Sequence, residues 1–366
     1  MPSPSDPLHD LRTMLDPRAP LPPRSEAAWD ALWDGAIADD VIWWGARAIA
    51  RSDAPERATA AATTLVREQA ASALAGTQQL LELTRALDAA GVAAVAYKGP
   101  ALALAVHGDL GARRFDDLDL LIAPHEAPRA IDALEAIGYR APHGWSRAEE
   151  QVFGRWEGAW HRTRNSGDRP LELHWRCQAP RYGGLQRTES VIARAEWLAV
   201  GGGRVRVPDP VTLAVLLAQH GAKHEWRSVG WIVDFHAALA GSRVEHGALA
   251  AAAARSGTRS VLGYALAVRS AVLGAAAPPE FARDAARFTA EAARVVERVR
   301  IGIVLPPPPR RWPPRWLGGR TAQLRYLWYA ATLPTPQERG RDAWPAERLK
   351  WAPLLRVKNV LTRRSQ

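Results

Sequence analysis

Asp117 and Asp119 are separated by a single apolar residue at the start of a run of leucine and isoleucine. In a β-strand successive side chains point to opposite faces, so both carboxylates would project from one face. Leu118 and Leu120 would then point from the other face into a core. Two carboxylates this close repel each other unless they share a cation. The pair predicts a divalent-cation site, and the alternative is a strand end with two solvated acids.

A third carboxylate would complete such a site, and Glu172 is the best candidate. It lies in a segment of alternating apolar and polar residues, which predicts a strand with Glu172 and His174 on one face. If this strand pairs with the one that carries Asp117 and Asp119, three carboxylates would surround one or two Mg²⁺ ions. Such a cluster binds triphosphate oxygens and activates a hydroxyl for in-line displacement. The alternative is that Glu172 is a surface residue that pairs with Arg176.

Lys98 and Gly99 follow a short apolar run and precede Pro100, which suits the first turn of a helix. Where a strand ends and a helix begins, backbone N–H groups and the helix dipole attract phosphate. Lys98 would add a charge that contacts the phosphate. The alternative is a plain turn with a surface lysine. Because Asp117 and Asp119 follow at a short distance in the sequence, we favour phosphate binding by Lys98 and Gly99 over a plain turn.

His220 and His224 are one helical turn apart, with Lys223 between them. This spacing can bind Zn²⁺, but the glutamate that follows the first histidine in zinc hydrolases is missing. The histidines and Lys223 would otherwise line a cleft that faces a nucleotide, or one histidine would belong to the core. Asp234 could orient one of them through a carboxylate–imidazole hydrogen bond.

The elements that must position these residues divide the chain into five segments. We predict a loosely ordered arm over 1–25, a helical region over 26–90, an α/β core over 91–208, a helical domain over 209–304, and a Pro- and Arg-rich linker with basic helices over 305–366. The expected fold is therefore α+β, a small mixed sheet with flanking helices between helical regions.

Four strands and several helices are predicted within this plan. The strands are expected over 92–97, 118–123, 160–163 and 171–176, with a weaker one around Tyr139. Helices are expected over 100–107 and 124–137 in the core, and over 320–331 and 346–361 near the C-terminus.

The excess of basic residues is confined to one segment. The chain carries a net charge of +10, and residues 301–366 account for all of it, with 13 Lys/Arg against three Asp/Glu. This segment predicts either an anionic partner such as nucleic acid or a solvated basic tail.

Composition excludes several classes of protein. The single cysteine, Cys177, excludes an internal disulfide and a cysteine-based metal cage. No run of about 18 apolar residues predicts a membrane span, and residues 1–6 lack the pattern of a secretory signal. We expect a cytoplasmic protein that does not associate with membranes.

Taken in order, these motifs resemble a known family. They cover roughly residues 80–240 and comprise Tyr97-Lys98-Gly99, Arg113, Asp117–Ile122, Leu171–Trp175, and the set His220, His224, Trp226, Trp231 and Asp234. This order is similar to that of the uncharacterised bacterial nucleotidyltransferases of the polymerase-beta-like superfamily. The resemblance implies a polymerase-beta-like α/β core, a helical second domain, and metal-dependent transfer of a nucleoside monophosphate from an NTP.

The resemblance also implies roles for the site residues. Asp117, Asp119 and Glu172 would hold Mg²⁺ and act in catalysis. The nucleotide would bind to Lys98, Gly99, Arg113, His220, Lys223, His224 and Asp234. Arg113 could instead pair with Asp116 or Asp117 as structural support, and its neighbour Arg114 could substitute for it in the motif.

The leading hypothesis is transfer of AMP from ATP to a hydroxyl of a small-molecule, peptide or protein acceptor. Two alternatives stay open. One is a nucleotide- or RNA-binding regulatory protein of the same fold without catalysis, and the other is a phosphotransferase that uses the same site.

Overall fold

The computed structural model describes residues 6–141, 159–179, 182, 186–241, 243–301 and 315–332. The helices are α1 (Pro7–Leu15), α2 (Glu26–Ala38), α3 (Ile42–Ala50), α4 (Glu56–Ala89), α5 (Gly99–His107), α6 (Ala127–Ala136), α7 (Thr188–Ala193), α8 (Pro210–Lys223), α9 (Val229–Ala240), α10 (His246–Ser256), α11 (Arg259–Leu273), α12 (Ala282–Ala286), α13 (Thr289–Ile301) and α14 (Arg320–Thr332). The strands are β1 (Val95–Ala96), β2 (Leu118–Leu121), β3 (Ala159–Arg162), β4 (Leu171–His174), β5 (Glu196–Val200) and β6 (Gly203–Val207).

The described strands form one mixed sheet in the order β3–β4–β2–β1–β6–β5. β2 is parallel to β4 and β1 is parallel to β6, whereas the other neighbouring strands are antiparallel. Helices flank this sheet, and helical regions precede and follow it in the chain. The predicted α+β architecture with a small mixed sheet is therefore confirmed.

One face of the sheet is apolar and the other is polar near its centre. Leu118, Leu120, Leu171 and Leu173 are each at most 1% exposed, and they belong to one apolar cluster with leucines of α4 and α6. The alternation along β2 and β4 directs their remaining side chains to the opposite face. That face carries the acidic residues, so the core on one side fixes the site on the other.

The prediction of a loosely ordered arm over 1–25 is wrong for residues 7–15. These residues form α1, and Leu8, Leu11 and Met14 are buried on one side of it. Their spacing of three residues matches one helical face, which packs against α3, α11 and α13. The many prolines and polar residues around α1 obscured this short amphipathic pattern.

The predicted strands are confirmed as β1 to β4, although β1 is shorter than predicted and β3 lies at the edge of the sheet, and the weak strand near Tyr139 is reduced to a single bridge between Arg140 and Thr163. The hairpin β5–β6 was not predicted. Its turn consists of Gly201 and Gly202. Both have positive φ, which is the backbone conformation that a tight two-residue turn requires.

The C-terminal part of the chain is only partly covered by the structure. The predicted helix over 320–331 is confirmed as α14, whereas the linker around 302–314 and the predicted helix over 346–361 lie outside the described residues. No helix of the described part is both long and apolar enough to cross a membrane.

Candidate functional site

Asp119, Glu172 and His174 form a cluster on the polar face of the sheet. β2 and β4 are parallel with Asp119 opposite Glu172 and Leu121 opposite His174, so the three side chains share a face. One ligand atom from each lies within 4.8 Å of the others. The sequence predicted the pairing of these two strands and the shared face of Glu172 and His174, but it assigned no role to His174.

Asp119 is the centre of this cluster. It is 2% exposed, and its Oδ1 accepts hydrogen bonds from Lys98 Nζ at 2.8 Å and from His174 Nε2 at 3.0 Å. Burial by itself raises the pKa of Asp119, but the nearby charge of Lys98 and the hydrogen bond from His174 have the opposite effect. Together with the charge of His174 and the hydrogen bond from Lys98, they hold the pKa well below its usual range. The carboxylate is therefore ionised under all ordinary conditions.

The second oxygen of Asp119 provides a test of whether these residues fit a cation. Oδ2 is buried and has no hydrogen-bond donor within reach in the described part of the chain. A buried carboxylate oxygen without a donor is costly unless a cation binds it. Carboxylate oxygens and an imidazole nitrogen are suitable ligands for a divalent metal. The cluster of Asp119, Glu172 and His174 therefore fits the divalent cation that the sequence predicted.

Glu172 lies between two histidines. Its Oε2 is 3.2 Å from His174 Nε2, and its Oε1 is 3.3 Å from Nδ1 of His161 on the neighbouring strand β3. Burial raises the pKa of Glu172, but the hydrogen bond from His174 and the charges of His174 and His161 together outweigh it and lower the pKa to about 2. The ion pair with Arg176 that the sequence offered as an alternative is replaced by these histidine contacts.

Asp117 precedes β2 and lies outside the cluster of three. Burial raises its pKa to about 6, and the negative charges of Asp119 and Glu172 add to this effect. A cation near the three carboxylates would remove this repulsion and favour the ionised form. The structure therefore brings Asp119 and Glu172 into contact with one histidine, and it places Asp117 within electrostatic reach of them.

Lys98 and Gly99 lie at the start of α5, as predicted. Gly99 has a φ of +61°, a conformation that favours glycine, and a side chain there would lie in ordinary contact with Leu118 rather than clash with it. The glycine is thus required by the backbone conformation. The Lys98 ammonium is largely buried and forms its ion pair with Asp119, so it lies at the same point as the carboxylates.

Arg113 and Asp234 are brought together in a second cluster. Arg113 Nε donates to Asp234 Oδ2 at 2.7 Å, and Nε2 of His107 lies 2.8 Å from Asp234 Oδ1. The prediction that Asp234 orients His220 or His224 is wrong, because both of its oxygens are used by residues from another part of the chain. Asp234 on α9 instead fixes the arginine of the loop that leads to Asp117.

His220 and His224 pack against each other and against Trp231 at tilted or edge-on angles. Their ring centroids are 4.8 Å apart, and they lie 4.8 and 5.2 Å from that of Trp231. Burial and the positive charge of Lys98 lower the pKa of His220 well below its usual range, so its imidazole is neutral. In the part of the chain that the structure describes, no group of three metal ligands includes either histidine, and the zinc alternative loses its support.

Trp226 and Lys223 complete this end of α8. The Trp226 ring is fully buried over Gly221, where an added Cβ would lie 2.3 Å from it, so this tryptophan is a packing residue. Lys223 lies within electrostatic reach of His220, as do Lys98 and Asp119. The end of α8 thus borders the carboxylate cluster.

Three histidines of these clusters were not singled out as site residues from the sequence. His174 could have been assigned from its place on the face of Glu172, and His161 from its place on a neighbouring predicted strand. His107 gave no such signal, because it meets Asp234 across 127 positions of the chain.

A comparison with models of protein families identifies one match. The model of one protein family, described as an uncharacterised nucleotidyltransferase, matches residues 25–274. This span includes both clusters and every predicted site residue. A comparison with curated proteins finds no match.

Proposed function

We propose that this chain, which belongs to the family of uncharacterised nucleotidyltransferases, transfers a nucleoside monophosphate, AMP from ATP, to a hydroxyl of its acceptor in a Mg²⁺-dependent reaction. The observation that carries the proposal is the pairing of Asp119 with Glu172 across two parallel strands, with Asp119 Oδ2 buried and lacking a donor. This is the arrangement that a cation-dependent transfer needs at its centre.

Asp119 and Glu172 would hold the cation, with Asp117 completing the set of carboxylates. Bound there, Mg²⁺ would neutralise the phosphate oxygens and favour attack by a hydroxyl. The low pKa of Glu172 suits a ligand and not a proton acceptor, because a carboxylate with a pKa of about 2 is a weak base. We therefore assign Glu172 to cation binding.

The residues at the start of α5 would bind the triphosphate. The first backbone N–H groups of this helix and the Lys98 ammonium are both suited to phosphate oxygens. Arg113 would stabilise charge that develops during transfer, and its ion pair with Asp234 holds it in place beforehand. The neutral His220 and the nearby Lys223 would face the nucleotide from α8.

The reaction forms one bond and breaks another. The acceptor oxygen attacks the α-phosphorus, the bond from that phosphorus to the bridging oxygen of the β-phosphate breaks, and pyrophosphate leaves. The hydroxyl proton passes to solvent.

A labelled-nucleotide assay tests the proposal. The chain is incubated with Mg²⁺, cell extract and ATP labelled in the α-phosphate, or separately in the γ-phosphate. Label from the α-phosphate should enter an acceptor, and it should fail to do so when Asp119→Asn replaces the wild type. Asp53→Asn, an exposed aspartate outside both clusters, is the matched control and should retain full transfer.

The same assay separates the two alternatives. Transfer of the γ-label alone would identify a phosphotransferase. Nucleotide binding without transfer of either label would favour a regulatory protein, for which the basic segment 301–366 is the sequence argument.

A further inference from the structure

A cavity of about 260 Å³ lies beside the loop that leads to Asp117. One wall is the α4 face that carries Leu65, Glu68 and Ser72, and the other is formed by residues 113–115 and Arg169. Its volume is close to the lower end of the range for small-molecule sites. None of the residues assigned to the metal lines it.

Arg169 is the unusual residue of this cavity. Its guanidinium lies over the Phe115 ring at 4.5 Å, and it donates to the Phe115 carbonyl at 3.3 Å and to Ser72 Oγ at 2.5 Å. Burial lowers its pKa. Its direct contacts among the described residues are with neutral groups, and Asp116 acts on it only through its charge, without an ion pair.

A second arginine borders the same cavity. The Arg114 side chain is 52% exposed, and its Nε forms a long ion pair of 3.8 Å with Oδ1 of Asp116, which is itself 87% exposed. Arg113 also borders the cavity but is neutralised by Asp234. The lining holds three arginines and one acid, Glu68. Because Arg113 is paired with Asp234 and Arg114 with Asp116, Arg169 is the cation that favours an anionic ligand.

The remaining lining is apolar and lies close to the phosphate site. Ile42, Leu65 and Phe115 supply it. Phe115 is also in van der Waals range of Gly99, where an added Cβ would be 3.8 Å from its ring. One phenyl ring therefore separates the cavity from the start of α5, where the triphosphate would bind.

We propose that this cavity binds the acceptor, and that the acceptor is a small alcohol with a carboxylate or phosphate group, which Arg169 and Arg114 would hold. This inference rests on the proposed nucleotidyl transfer and specifies the class of its second substrate. The anionic group would occupy the place of the missing counter-ion of Arg169, and the apolar part would lie along Leu65 and Phe115.

Ser72 offers a direct way to test the site without touching the metal or triphosphate residues. Ser72→Glu would place a carboxylate beside Arg169 and occupy the anion site from within, whereas Ser72→Gln has a similar size and no charge. With a non-hydrolysable ATP analogue and Mg²⁺ present at saturation, inorganic phosphate and acetate are titrated separately by calorimetry. The wild type and Ser72→Gln should bind at least one of them, and Ser72→Glu should bind it at least ~10-fold more weakly, which is the loss of about one charge-assisted hydrogen bond.

The two titrations also distinguish the chemical sources of the anion. Stronger binding of phosphate would indicate a phosphorylated alcohol, and stronger binding of acetate a hydroxy acid. If neither anion binds the wild type, or if Ser72→Glu binds as well as Ser72→Gln, the proposed site is wrong.

The acceptor itself is tested by fractionation. The low-mass part of a cell extract is passed over an anion-exchange resin, and each fraction is supplied with α-labelled ATP, Mg²⁺ and the protein. Label should enter a compound from the retained fraction, and Ser72→Glu should reduce this transfer while it leaves binding of the ATP analogue unchanged.

The outcomes separate this inference from the proposed function. Transfer to a compound in the unretained fraction would overturn the anionic acceptor and keep nucleotidyl transfer. Failure of transfer with every fraction and with whole extract would overturn both.

Discussion

Asp119 and Asp234 are both buried carboxylates that meet two nitrogen donors, but they use their oxygens differently. Asp234 gives one oxygen to Arg113 and the other to His107, so neither is left over. Asp119 receives Lys98 and His174 on the same oxygen, and its other oxygen has no donor in the described structure. One carboxylate is saturated and the other is open.

The difference separates a structural role from a binding role. A buried carboxylate with a donor on each oxygen joins the elements that contact it, here α9, α5 and the loop before β2, and has no unpaired oxygen that a ligand would relieve. An open one bears the cost of an unpaired oxygen, which a bound cation would relieve. In the sequence alone the two aspartates look alike. Four substitutions test the difference between them and the packing around them.

The largest effect is expected at the open carboxylate. Asp119→Asn removes the charge that would hold the cation, and we expect AMP transfer to fall by at least ~10³-fold because electrostatic stabilisation is the largest contribution to such reactions. Binding of Mn²⁺, followed by electron paramagnetic resonance, should be lost as well. The exposed Asp53→Asn is the control. An Asp119→Asn variant that retains transfer would show that the open oxygen does not serve catalysis.

Substitution of Asp234 should mainly lower the stability of the fold. Asp234→Asn leaves Arg113 buried without its counter-ion, so we expect the free energy of unfolding to drop by ~3 kcal/mol, as when one partner of a buried ion pair is removed. In the folded fraction kcat should fall ~10–100-fold with little change in the binding of Mn²⁺, because Arg113 is misplaced. Urea unfolding and steady-state kinetics measure the two effects. Weaker Mn²⁺ binding in this variant would contradict the separation of the clusters.

A smaller change is expected at the helix that borders the open cluster. In Gly221→Ala the new Cβ would lie 2.3 Å from the Trp226 ring, and such overpacking costs ~1–3 kcal/mol of unfolding free energy. Gly35→Ala in α2 is the matched control, because no atom lies within 4 Å of its added Cβ and alanine favours a helix by up to ~1 kcal/mol. Thermal unfolding of both variants is the measurement. A loss of stability in Gly221→Ala but not in Gly35→Ala would show that the packing of Trp226 on Gly221 stabilises α8.

The smallest effect concerns a carboxylate of a third kind. Burial raises the pKa of Asp39 to about 6, although Arg298 opposes the shift. The folded state therefore binds the proton more tightly than the unfolded chain does, and stability should fall as pH rises from about 4 to 6 and remain lower above it. Asp39→Asn should regain ~1 kcal/mol above pH 6, less than the ~3 kcal/mol that a pKa raised from about 4 to about 6 would give in full, because solvent screens the partly exposed carboxylate, and nothing near pH 4. Urea unfolding across this pH range is the measurement, and an equal gain at both ends would exclude titration of Asp39 as the cause.

The fold was predictable wherever local pattern and burial agreed. The alternation in residues 171–176 predicted β4, and the apolar run of residues 118–123 predicted β2, which is buried on both faces. The two glycines at the turn could have indicated the hairpin of β5 and β6, because residues with positive φ suit a two-residue turn. α1 was missed because a nine-residue helix is stabilised by its packing partners rather than by its own sequence.

The site was predictable in part. The carboxylates and the start of α5 follow from spacing along the chain, and the structure brings Asp119, Glu172 and Lys98 together. The partners of Arg113 and Asp234 were not predictable, because they are 121 positions apart and a hydrogen bond over such a distance leaves no local pattern.

The sequence by itself determined which residues could bind a cation and phosphate, and on which face of their strands they lie, because periodicity and backbone preference act locally. Only the tertiary structure decided which carboxylate is saturated, which is open, and which arginine lacks a counter-ion. Those properties depend on the donors that other segments bring within ~3 Å, and only the packing of distant helices and strands sets that distance.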